Sequence, residues 1–326
     1  MKTARTLTVE TLEAREVPAL FGTPWANPGA LTLSFAPDGT TVSGDGQAAL
    51  GQGQTSQMFS KLGGAGTTTQ WQTEILRAFQ TWAVNANINI GLVPDAGLAF
   101  GALGATSDNR LAGDFRIGAA TLGSDVLAIN QPYSVIGGSW CGDVILNASY
   151  NLNVTGGQNN SFRVLTALLN EAGNVFGLPD DPTDPTSARF SAYVEGRTGL
   201  SASDVQAIQT LYGGPRARDA FEGAAGNDTA ATATRLTPAV SPASPANQMV
   251  SAIGADLTTR TDSDWYVFTT AANTTSLTAR VETVGKSLLA ARVSVFDAAG
   301  NLVGTAVSAG PASMQDRVLT VNGLVG

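Results

Sequence analysis

The pattern of apolar and polar positions divides the chain into a helix-bearing first two thirds and a strand-rich last third. Leu31-Thr-Leu-Ser-Phe35 alternates with period two and runs into the turn Pro37-Asp-Gly39, which predicts a strand and its exit. The glycine- and glutamine-rich sequence from Gly44 to Gly66 is expected to be loop. Next, Trp71, Ile75, Phe79 and Trp82 recur at helical spacing, one face of an amphipathic helix, with the run Thr67–Thr69 to cap it. Residues 88–93, 114–119, 126–131 and 143–147 are further strand candidates, separated by glycine-rich loops as in a twisted sheet.

A second helix is expected over Ser161–Phe176, ending where Gly177 can adopt the left-handed conformation. Pro179, Pro182 and Pro185 then hold an extended loop. A third helix starts behind Ser201, with Asp204 completing the cap, and stops at Gly213-Gly214-Pro215. Composition turns to Ala, Thr, Ser and Pro from Arg216 to Gln248, the signature of a linker. Strand signals resume over 264–270, 276–283, 291–297 and 302–307, the last two joined by the turn Ala298-Ala-Gly-Asn301. The expected fold class is α+β, with a small all-β sandwich as a second unit.

Composition narrows the chemistry more than it narrows the fold. The chain has 326 residues, enough for roughly two domains at about 150 residues each. Its 18 basic and 26 acidic residues give a net charge of −8, and the absence of a basic cluster argues against nucleic acid as a partner. No apolar run approaches the roughly 18 residues that span a bilayer. There are no histidines and a single cysteine. Ser/His/Asp catalysis is therefore excluded, no disulfide can close within the chain, and no zinc site of His and Cys ligands can be assembled. With no imidazole to activate it, Cys141 is expected to be a half-buried spectator thiol rather than a nucleophile.

One segment carries a recognisable frame. Asn170-Glu-Ala-Gly-Asn174-Val-Phe-Gly177-Leu-Pro-Asp180 resembles the active-site helix of the matrixin branch of the metzincin zinc peptidases, H-E-x-x-H-x-x-G-x-x-H/D. Segments 31–40, 71–93 and 113–117 resemble matrixin strands and helix, and Leu200–Gly213 resembles the closing helix of that domain. The resemblance covers about residues 22–214. It implies a metzincin-like mixed, twisted sheet with an active-site helix and a C-terminal helix. It further implies a secreted metalloendopeptidase scaffold that hydrolyses peptide bonds by zinc-activated water, with Glu171 as base. Asn170, Asn174 and Asp180 then stand at the zinc-ligand positions.

That assignment meets a chemical obstacle. Residues i and i+4 share a helix face, so two imidazoles there can grip one ion, and the bound ion lowers the pKa of its water to about 7. Amide oxygens are weak ligands for borderline-soft zinc. Alignment of 185–193 with the methionine turn that lies beneath the metal in this family puts Arg189 at the methionine position. Three expectations compete for this face. It forms an all-oxygen site for Ca²⁺ or Mg²⁺ from Asn170, Asn174, Glu171 and Asp180; it is a lapsed site whose asparagines face a solvated cleft; or Arg189 pairs with Glu171 or Asp180 in place of the metal. By the same resemblance Asp114, Asp125 and Asp143 are candidates for structural calcium, the alternative being solvated turn residues.

The last third has a likeness of its own. Residues 219–236 and Thr261-Asp-Ser-Asp-Trp-Tyr-Val-Phe268 resemble the bacterial pre-peptidase C-terminal domain, a β-sandwich appended to secreted peptidases. Asp262 and Asp264 are turn residues or a weak calcium site. The segment 7–19 resembles a leader-proximal motif of exported bacterial proteins, although no apolar signal core accompanies it. The expected organisation is an export-associated segment over 1–21, a matrixin-like domain over 22–214, a linker over 215–250 and a sandwich over 251–326. Two functions fit, both extracellular or at the cell surface. One is a zinc endopeptidase acting on polypeptides. The other is a non-catalytic pseudopeptidase, calcium-stabilised, that binds a polypeptide or a surface.

Overall fold

The computed structural model describes residues 21–42, 50–51, 53–64, 66–102, 111–134, 140–156, 161–241, 244–259 and 261–324. The export-associated segment lies outside them, apart from Phe21. The chain enters with β1 (Leu31–Phe35), followed by a small ladder of β2 (Thr41–Val42) with β3 (Gln54–Thr55) and a one-turn helix α1 (Met58–Leu62). The stretch expected to be only loop thus contains helix, because Met58 and Leu62 bury completely against the core.

Helix α2 (Thr68–Ala83) begins where the pattern predicts. Thr67 and Gln70 form a reciprocal capping box, and Trp71, Ile75, Phe79 and Trp82 are fully buried along one stripe. Strands β4 (Ile90–Leu92), β5 (Phe115–Ala120), β6 (Ala128–Asn130) and β7 (Val144–Asn147) complete a five-stranded sheet of order β4-β1-β5-β7-β6. Four of its strands run parallel, and β6 pairs antiparallel with β7 at one edge. Burial of β1, β4, β5 and β7 on both faces gives them near-continuous apolar sequences.

A short ladder of β8 (Asn151–Asn153) and β9 (Ser161–Arg163) leads into α3 (Val164–Val175). Helix α3 packs on α2, and Trp82 Nε1 donates to the Leu169 carbonyl at 2.9 Å. Between helices and sheet, Phe79, Phe115 and Phe176 meet with centroids 5.1, 5.2 and 6.0 Å apart, an aromatic core in edge and tilted contacts. Gly177 ends α3 at φ +92°, where a Cβ would stand 2.8 Å from the Thr23 carbonyl. Helix α4 (Ala202–Tyr212) returns behind it, and Tyr212 donates its hydroxyl to the Phe176 carbonyl at 2.7 Å.

The alanine- and threonine-rich stretch expected to be a linker carries structure. Strand β10 (Thr234–Arg235) pairs with β13 (Tyr266–Val267), and β11 (Ala239–Ser241) pairs with β12 (Ser244–Met249). Flexible composition is overridden here because Thr234 is fixed on both sides: its N–H bonds the Trp265 carbonyl and its hydroxyl the Phe221 carbonyl. The last third adds β14 (Ser276–Val281), β15 (Arg292–Phe296), β16 (Leu302–Val307) and β17 (Arg317–Asn322). Strands β15 and β16 form the expected hairpin, and β14 pairs with β17. The two pairs are in contact at Gly304 on β16, which lies against Leu319 and Val321 of β17.

The halves meet at the outer edge of β4. Gly285 donates its N–H to the Leu92 carbonyl at 3.0 Å, and Asn89 Nδ2 donates to the Lys286 carbonyl at 2.6 Å. The architecture is mixed α+β, and among the described residues no helix is long and apolar enough to cross a membrane.

Candidate functional site

Helix α3 brings Asn170, Glu171 and Asn174 onto its last two turns, and Gly177 lets the chain double back to Asp180. Their side chains are committed as follows. Asn174 Nδ2 donates to Asp180 Oδ1 at 3.2 Å, so two of the expected ligand positions bond each other. Asn170 Nδ2 turns to the carbonyls of Ala188 and Phe190, at 3.2 and 3.4 Å, and fastens the loop that follows. Glu171 is buried, and its Oε2 accepts from Asn130 Nδ2 at 2.6 Å across the gap to edge strand β6. Burial pushes the Glu171 carboxyl up to about 7, with the Asn130 hydrogen bond pulling it down and the Asp180 charge adding to the rise. Asn174 Oδ1 is buried with no hydrogen-bond partner.

Arg189 sits under this helix, and its Cγ lies 3.4 Å from where a Cβ of Gly173 would be. The expected pairing with Glu171 or Asp180 does not form. Arg189 Nε instead bonds Asp204 Oδ1 at 3.1 Å, Nη1 donates to the Pro179 carbonyl at 3.0 Å, and Nη2 faces Asp181 at 3.7 Å. The physical reason is Asp204, a fully buried carboxylate on the first turn of α4 that needs a cation. It also accepts from Ser187 Oγ, the Ala188 N–H and the N–H and hydroxyl of Ser201. Asp204, expected only as a cap, is the hub that holds the loop against α3.

The calcium candidates are engaged as follows. Asp114 is buried, and its Oδ2 accepts from the N–H and hydroxyl of Thr32 at 2.8 and 2.9 Å, locking β1 to the loop before β5. Asp143 is buried, and that burial raises its pKa well above the ordinary carboxylate value, the nearby Arg116 opposing and Asp95 adding. Asp125 accepts a local hydrogen bond from Ser124 at 3.3 Å. Cys141 is buried, its Sγ 3.3–3.4 Å from the backbone of Ser134.

Among the described residues, one group of three carboxylates could hold a metal ion: Glu222, Asp262 and Asp264, each offering an oxygen within 4.8 Å of the others. Sequence reasoning named the two aspartates as a turn or weak calcium site and missed Glu222. The signal available for it was the acidic run Asp219-Ala-Phe-Glu222, which composition alone assigns to solvent. No protein-family profile matches the chain, and no curated protein matches it.

Proposed function

We propose that residues 22–214 are a metzincin-type scaffold that has exchanged zinc chemistry for binding: a pseudopeptidase, extracellular or at the cell surface, whose cleft accepts a polypeptide. The observation that carries this reading is the bond between Asn174 and Asp180. Two positions that would share a dication in the family satisfy each other here, and Asn170 is spent on backbone carbonyls. The donor set does not fit zinc, since neutral amides are poor ligands for it and the chain has no imidazole or second thiol to offer. Without a metal-activated water, Glu171 has no nucleophile to deprotonate.

Support for a polypeptide partner comes from β6. It is the terminal strand of the sheet, paired on one side with β7, and Asn130 at its end touches Glu171. An extended peptide could add to such an edge by main-chain hydrogen bonds. The test is a peptide-array screen of the native chain, paired with a fluorogenic endopeptidase assay in added zinc. Binding without turnover supports the proposal. Metal-dependent cleavage that is lost in Glu171→Gln overturns it.

A further inference from the structure

We infer that Glu222, Asp262 and Asp264, with the neighbouring Asn227, form a calcium site that fastens residues 219–236 to the segment that leads into β13. Three oxygens mutually within 4.8 Å can share a point no more than about 2.8 Å from each, within reach of the 2.3–2.6 Å shell of calcium after small side-chain movements. Carboxylates and an amide suit a hard cation, and magnesium demands a tighter octahedron near 2.1 Å.

The acidic cluster does not stand alone. Glu222 is 3 % exposed, and its Oε1 has no hydrogen-bond partner. Asn227 is 0 % exposed; its N–H donates to Glu222 Oε2 at 3.4 Å, while its Oδ1 has no hydrogen-bond partner. Asp264 uses Oδ2 to accept from the Tyr266 hydroxyl at 3.1 Å, and its buried Oδ1 has no hydrogen-bond partner either. Three buried acceptor oxygens without donors are what a cation would satisfy, since buried polar groups are otherwise almost always paired. The third carboxylate is held in place by its neighbours. Asp262 Oδ2 accepts from the N–H and hydroxyl of Thr258 at 2.6 and 3.0 Å.

The two ligand groups come from opposite sides of a structural joint. Glu222 and Asn227 lie between α4 and β10, and Asp262 and Asp264 lie just before β13, which pairs with β10. Asn227 Nδ2 already reaches the Trp265 carbonyl at 3.4 Å across that joint. An ion there would hold in place a segment whose composition favours disorder.

The experiment is a calcium titration of the full native chain by calorimetry and thermal unfolding, with magnesium as control and Glu222→Gln and Asp264→Asn as variants. One calcium per chain is expected, with a dissociation constant between about 10⁻⁵ and 10⁻³ M, a melting temperature that climbs with calcium, and at least about tenfold weaker binding in each variant. Terbium luminescence sensitised by Trp265 on the native chain, displaced by calcium, reads the site without depending on any variant folding. No heat, no calcium-specific thermal shift and no displaceable luminescence up to about 10 mM would overturn the inference, as would unchanged affinity in folded variants.

Discussion

Asn130 at the end of β6 and Glu171 on α3 are joined by a 2.6 Å hydrogen bond from amide to carboxylate. It links the edge strand of the sheet to helix α3. The buried Glu171 carboxylate is thereby held from the sheet side by an asparagine.

That bond sits on a buried carboxyl, and the consequence is a pH dependence. Burial lifts Glu171 from its ordinary 4.5 to about 7, so the folded chain favours the protonated form. Its contribution to stability is full below about 4.5 and is lost as the pH rises through about 7, a change on the order of 3 kcal/mol. Glu171→Gln keeps an acceptor for Asn130 and cannot ionise. Chemical denaturation between pH 4 and 8 should therefore show the variant gaining on the native chain as pH rises, by up to about 3 kcal/mol at the alkaline end. A constant difference would show that Glu171 is ionised and solvated.

Asp204 accepts five hydrogen bonds, three of which, from Ser187, Ala188 and Arg189, anchor the loop under α3, while the two from Ser201 cap α4. Burial pushes its pKa up, but the bonds from Ser187, Ala188 and Ser201 hold it below the ordinary value. Asp204→Ala leaves Arg189 buried with only Asp181 and the Pro179 carbonyl, and should cost about 3–5 kcal/mol in urea unfolding. A loss below about 1 kcal/mol would mean that Arg189 re-pairs freely.

Gly91 on β4 approaches Gly285 so closely that a Cβ would fall inside contact distance of its carbonyl group. Gly91→Ala should therefore loosen the junction between the halves while leaving each core intact. Hydrogen exchange is the direct readout: the amide of Gly285, bonded to the Leu92 carbonyl, should lose protection, whereas those of α2 should not.

Asn170 and Asn174 stand four residues apart on one face of α3, with Asp180 beyond Gly177. Asn170→His together with Asn174→His should create a three-ligand face with Asp180 that retains about one zinc per chain, measured by elemental mass spectrometry after dialysis. Failure of a folded double variant to bind zinc would mean that the loop at Ala188 and Phe190 holds position 170 out of register.

The strongly periodic elements were legible in the sequence. Trp71, Ile75, Phe79 and Trp82 mark α2, and Thr67 with Gln70 caps it. Gly177 ends α3, and Ser201 with Asp204 begins α4. What escaped were elements fixed by long-range contacts. Helix α1 is a single turn whose Met58 and Leu62 gain meaning only once the core exists. Strand β10 is two residues of a threonine-rich run, held by bonds to Phe221 and Trp265. At the site, the frame from Asn170 to Asp180 was visible because it is local. The choice of Arg189 for Asp204, 15 positions away, was not, because a buried carboxylate advertises its need for a cation only after folding. Glu222 was missed for the same reason: its partners lie 40 residues downstream.

The most direct measurement is the zinc content of the native chain, dialysed with equimolar zinc in the presence of saturating calcium to fill the Glu222 site. With Asn174 and Asp180 bonded to each other and Asn170 engaged elsewhere, zinc should stay far below one per chain. Zinc near one per chain, lost in Asp180→Ala, would contradict a cleft built for binding and return it to metal chemistry.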